Sequence, residues 1–238
     1  MSLLAAAGPS AYWYLTRATG AVSLLLLTLT VVLGVVDVER WSTAAWPRFV
    51  LDALHRNAAL LALAFVTVHI ITSVLDSFAS IPLLDAFVPF VGSYRPFWLG
   101  LGAVALDMLL AIIISSLVRA RLGYGAWRAV HWLAYASWPV ALLHGFGTGS
   151  DANSTWLLVL SGLCTLLVLG ATVTRVLSGW PANPGVRRAA LGGTGAFSLF
   201  MIVWLPSGPL GPDWARRAGT PSSLLSHSRS RAPGARSR

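Results

Sequence analysis

The chain has no lysine, one cysteine and only eight acidic residues in 238 positions. A single thiol, Cys164, in the middle of an apolar stretch, rules out an internal disulfide, a thiolate zinc site and a cysteine-held iron-sulfur cluster within these residues. Charged residues make up 11% of the sequence, less than half of what a soluble domain carries. All the positive charge is arginine. The formal charge of +9 does not mark a nucleic-acid binder, because six of the 17 arginines (Arg216, Arg217, Arg229, Arg231, Arg236, Arg238) follow the last apolar segment. The end of that region, SHSRSRAPGARSR, has the composition of a solvated appendage. No GxGxxG follows a strand-like run, no HExxH occurs, no repeat has a fixed period, and the loops are too short for a nucleotide-binding module.

What the chain has in excess is apolar length. It is 56% hydrophobic with a mean hydropathy of +0.71, and a bilayer-spanning helix needs about 20 mostly apolar residues. Five segments qualify: 12–36, 50–74, 97–118, 127–146 and 156–177. A sixth, 189–205, is shorter and rich in glycine. The expected fold is all-α, a polytopic membrane helix bundle of five to six transmembrane helices. Residues 1–11 form an extracytoplasmic lead-in, 12–206 the membrane domain, and 207–238 an Arg/Ser/Pro-rich disordered tail. The first segment reads as a retained span, since no basic residue precedes Arg17 and its apolar run exceeds a signal-peptide core.

If the spans alternate, the loops after spans one, three and five share one side. Arg40, Arg48, Arg56, Arg119, Arg121, Arg128, Arg175, Arg187 and Arg188 lie near them, and by the positive-inside rule that side is cytoplasmic, in the plasma membrane. Both termini then face outward if the sixth segment spans. Spans two and four run in parallel from the cytoplasm outward.

Four of the five histidines lie on those two spans: His55 and His69 on span two, His131 and His144 on span four. His227 falls in the tail. One histidine in a span is ordinarily a ring hydrogen-bonded to a neighbouring helix, but two matched pairs are another matter. At about 1.5 Å per residue the pairs are separated by roughly 21 and 20 Å along their axes. Two parallel helices therefore present two imidazoles at a cytoplasmic level and two at an outer level. Bis-imidazole ligation is a standard axial arrangement for haem iron in electron transfer. At about 100° per residue, fourteen steps bring His69 to within roughly 40° of the face of His55, while thirteen steps leave His144 roughly 140° from that of His131. Pro139, between them, is expected to kink the helix and re-aim His144.

Structural zinc needs four ligands around one ion, which levels some 20 Å apart by helical rise cannot supply. Haem propionates need cationic partners near the interfaces. Arg56 and Arg128 stand at the cytoplasmic level and Arg17 at the outer one. For Arg56 and Arg128, snorkelling to headgroups is an equal alternative; Arg17, inside a span, needs a partner. Asp107, mid-span, is out of place for the same reason, with no partner evident. Of 11 tryptophans, Trp13, Trp41, Trp46, Trp98, Trp127, Trp156, Trp180 and Trp204 form an interfacial belt. Trp132 and Phe65 lie deeper, where packing or porphyrin contact would suit them.

The histidine spacings, together with SSLVRARLGYGAWRAVHWLAYASWPVALLHG and WYLTRATGAVSLLLLTLTVVLG, resemble the ferric reductase-like transmembrane domain. That superfamily includes ferric reductases, the membrane part of NADPH oxidases and the haem-binding subunit of a bacterial methionine sulfoxide reductase system. The resemblance covers roughly 13–177; GPLGPDWARRAGTP looks like a bacterial subgroup of it. It implies two b-type haems, His55 paired with His131 and His69 with His144, passing electrons across the membrane. Oxidases and ferric reductases of this kind usually carry a cytoplasmic flavin and NADPH domain, which these residues do not include. The expectation is an electron-transfer subunit with no catalytic residue of its own. Its donor would be a cytoplasmic flavin reductase or quinol, and its acceptor an extracytoplasmic flavoprotein or ferric chelate. The alternatives are a polytopic transporter or scaffold using its histidines for proton relay or packing, and a haem-handling or haem-sensing membrane protein.

Overall fold

The structure is a computed structural model describing residues 10–39, 47–179 and 182–229. Trp41, Trp46, Trp180 and Arg40, expected near the interfaces, lie outside the described residues, as do Arg231, Arg236 and Arg238. Among the described residues every regular element is helical: α1 (Ala11–Val38), α2 (Arg48–Leu75), α3 (Pro96–Leu117), α4 (Arg119–His131), α5 (Leu133–Thr148), α6 (Thr155–Leu177), α7 (Pro184–Ser207), α8 (Trp214–Arg217) and α9 (Ser222–Arg229), with one short 3-10 turn at Leu83–Ala86. Five of them, α1, α2, α3, α6 and α7, are each long and apolar enough to cross a membrane. Large side chains such as Leu25, Leu29, Leu163, Leu166, Ile202 and Val203 are exposed on them, a pattern that suits lipid rather than water as the surrounding medium. The chain is a multi-pass membrane protein. The glycine-rich sixth segment is longer than its apolar core, because Pro184 at the first helical position and Asn183 as its cap start the helix early. The Asn183 side chain accepts from the backbone N–H groups of Gly185 and Val186.

The described residues fall into two compact units. The first comprises 10–18, the opening turns of α1; 68–150, the end of α2 with α3, α4 and α5; and 212–229, with α8 and α9. Its core lies between α3 and α5. Gly100, Ala103 and Leu106 of α3 and Trp138, Leu142 and Phe146 of α5 are buried, and the face of Gly100 is filled by Phe90 from the segment before α3. The Ser10 hydroxyl donates to the Asp76 carboxylate at 2.7 Å, and the Thr16 and Thr72 hydroxyls are 2.9 Å apart, so polar pairs bind the start of α1 to the end of α2. The second unit comprises 19–39, 47–67, 151–179 and 182–211. There α6 packs on α7, and Arg175 of α6 forms a 2.6 Å ion pair with Glu39 at the end of α1.

Span four differs from its expected form. The segment Arg119–His131 turns sharply at Gly123, whose φ of 75° is in the left-handed region that glycine enters without cost. The helix is then interrupted at Trp132, directly after His131, so neither α4 nor α5 alone reaches spanning length. It runs on through Pro139. At the interruption the Tyr135 N–H donates to the Trp132 carbonyl, a three-residue bond. Such 3-10 winding turns the chain about 120° per residue rather than about 100°. One such turn supplies about 20° of the roughly 140° that separates the two histidine faces on a regular helix.

Candidate metal centre

His69, from α2, and His144, from α5, come together in the first unit, their ring centroids 6.3 Å apart and their planes 89° apart. Each ring is fixed from behind. His69 Nδ1 is 2.8 Å from the carbonyl oxygen of Thr16, and His144 Nδ1 is 2.9 Å from that of Trp98. A carbonyl only accepts, so each Nδ1 carries the proton and each Nε2 the lone pair, as a metal-ligating imidazole requires. In the second unit His55 follows the same rule, its Nδ1 lying 2.9 Å from the Thr30 carbonyl oxygen. Backbone acceptors on α1 therefore set two of the histidines, and one on α3 sets a third.

His131 is held differently. Its ring lies 4.9 Å from that of Trp127, whose Nε1–H donates to the Ser116 hydroxyl at 3.1 Å and whose ring also meets Tyr124, at 5.7 Å, and the Arg119 guanidinium, 4.4 Å from its centroid. His131 belongs to the first unit and His55 to the second.

The arrangement of His69 and His144 bears directly on haem. With metal–imidazole bonds of about 2.0–2.1 Å and about 1.1 Å from nitrogen to ring centre, two imidazoles on opposite sides of one ion have centroids roughly 6 Å apart. The observed separation matches. Among the described residues no cluster of three or more His, Cys, Asp or Glu side chains converges, so an ion held here needs its remaining ligands from elsewhere. A porphyrin supplies four. Space for His144 is made by Gly102 of α3, where a Cβ would come within 2.5 Å of the imidazole. On α1, Gly34 faces His55 less tightly, at 3.2 Å. The residues present fit the group.

The expected propionate partners are placed as follows. Arg17 is half-buried, one residue past the Thr16 carbonyl that holds His69, with its guanidinium 3.9 Å above the Trp13 ring. Arg56 is exposed beside His55, and Arg128 is exposed with its guanidinium 5.3 Å from the Tyr124 ring centroid. Asp107 is exposed on α3, and Trp132 is 39% exposed. Arg119, counted in the sequence only as a topology signal, emerges as the residue stacked on Trp127. Thr16, Thr30 and Trp98 carry no sequence signal for their roles, since they act through backbone oxygen.

The model of the ferric reductase like transmembrane component matches residues 19–142, just over half the chain, including His55, His69 and His131. The chain belongs to that family. Membership makes it a transmembrane component of oxidoreductase type, in a family whose domains typically bind haem. No curated protein and no solved structure matches the chain. The match ends two residues before His144 in this ferric reductase-like chain.

Proposed function

We propose that this ferric reductase-like protein carries electrons across the plasma membrane through two b-type haems, His69 and His144 holding the outer one. The observation that carries the reading is the pair of rings 6.3 Å apart, each anchored through Nδ1 to a backbone carbonyl. Sequence spacing supports a second, cytoplasmic level served by His55 and His131, with Arg56 and Arg128 as cationic partners there and Arg17 as the partner at the outer level. A haem held by these histidines would supply one-electron exchange.

The chain's own residues do the rest. The Thr16, Trp98 and Thr30 carbonyls hold three imidazoles in the ligating tautomer, which raises their basicity and removes ring rotation. The apolar spans exclude ions, so charge crosses only as electrons. The donor we propose is a cytoplasmic flavin reductase or quinol, and the acceptor an extracytoplasmic flavoprotein or ferric chelate.

The test is a reduced-minus-oxidised spectrum with haem quantitation on protein purified from haem-replete cells. Bis-histidine b-type bands and close to two haems per chain are expected. Colourless protein would overturn the reading and leave transport or packing as the histidines' task.

A further inference from the structure

Residues 207–238 have the composition of a disordered tail, and within them the structure places Trp214–Arg217 in α8 and Ser222–Arg229 in α9. Local apolar and hydrogen-bonding residues account for this. Pro209 is fully buried and Ala218 is 5% exposed, anchors that an average over the whole tail hides. The stretch 212–220 belongs to the first unit, and it meets the start of α3 at two points.

The first is Arg95, the residue before α3, 5% exposed. Its backbone N–H donates to the Gly219 carbonyl at 3.1 Å. Its side chain donates through Nε to the Thr220 hydroxyl and through a terminal nitrogen to the Gly147 carbonyl, both at 2.9 Å. Arg95 therefore ties three segments together: the entry to α3, the last turn of α5 and the C-terminal stretch. Its φ of 42° is left-handed, a conformation that a non-glycine residue keeps only where its surroundings hold it. The second point is Trp98, whose ring lies 5.2 Å from that of Trp214. Trp98 is also the residue whose carbonyl holds His144, and its ring packs so closely on Gly147 that a Cβ there would come within 2.4 Å.

We propose that residues 212–220 form a strap that positions His144. Trp214 seats Trp98, and Gly219 and Thr220 seat Arg95. Between them they fix the first turn of α3 against the last turn of α5, and so fix the carbonyl that sets the imidazole. The strap lies beyond the part of the chain that the family model matches. This inference rests on the haem reading above, and it makes Thr220, Trp214 and Arg95 positioning residues for one of the two haems.

The experiment uses the full chain purified in detergent, with haem content and the low-spin electron paramagnetic resonance signals of the two haems as readouts. Thr220→Val and Trp214→Ala are each expected to weaken the outer haem about tenfold, the usual effect of losing a partner behind a ligand. One low-spin signal then shifts or fades while the other stays, and Thr220→Ser restores the wild-type pattern. Both signals unchanged in Thr220→Val and Trp214→Ala would overturn the strap with the haem reading intact, and so would equal loss of both, which marks general unfolding. Colourless wild-type protein would bring down the haem reading and the strap with it.

Discussion

On the proposed two-haem reading, alanine in place of His69 or of His144 is expected to remove the same haem and leave the other, so that haem content falls from about two per chain to about one in either variant. The expectation follows from the two rings lying 6.3 Å apart while each is tied to a different helix, His69 to α1 through Thr16 and His144 to α3 through Trp98. Neither imidazole can move to replace the other without breaking its anchoring bond, and among the described residues no third His, Cys, Asp or Glu side chain stands by to take the vacated position. The double variant is therefore expected to resemble either single one rather than to add their effects, as for two groups that act as a unit. Haem quantitation with the low-spin resonance signals reads this directly. Different signals lost in the two single variants would break the pair, and helix content by circular dichroism separates ligand loss from unfolding.

The sequence exposes side-chain chemistry and hides backbone chemistry. Four histidines at spacings of fourteen and thirteen stand out in the sequence, because imidazoles in lipid are costly and so conspicuous. Apolar run length likewise reveals the spans. The atoms that hold His69, His144 and His55, by contrast, are carbonyls of Thr16, Trp98 and Thr30, which any residue could supply, and no composition rule singles them out. The interruption at Trp132 is hidden for a related reason: tryptophan is no helix breaker, whereas Pro139 draws attention yet stays within a continuous helix. Arg95 reads as one more loop arginine, since its role depends on Gly147, Gly219 and Thr220, up to 125 residues away in sequence. The C-terminal stretch shows the limit of averaging. A region rich in Arg, Ser and Pro still contains Trp214 and Pro209, and a few anchors suffice to seat it.

Gly102→Ala is expected to be nearly as damaging to the outer haem as loss of the ligand itself, although it adds a single methyl group. On helix propensity alone the change favours α3 by about 1 kcal/mol, so any loss has to come from the space the methyl occupies. That space belongs to His144: a Cβ at position 102 would lie 2.5 Å from Cε1, 2.6 Å from Nδ1 and 3.0 Å from Nε2. These are not the loose end of a flexible chain. The ring is pinned through Nδ1 to Trp98, four residues earlier on the same helix, and its centroid lies 6.3 Å from that of His69. Relief requires either breaking the carbonyl bond or separating α3 from α5, and overpacking of this kind typically costs about 1–3 kcal/mol even where neighbours can yield. Gly34 provides the internal comparison. A Cβ there would lie 3.2 and 3.4 Å from two atoms of His55, a crowding that a shift of a few tenths of an ångström relieves, so Gly34→Ala is expected to retain both haems. A Gly102→Ala chain with full haem content and two unaltered low-spin signals would show that the His144 ring does not need the face of α3. With equal losses in the two alanine variants, the cause would instead be lost glycine flexibility in the spans.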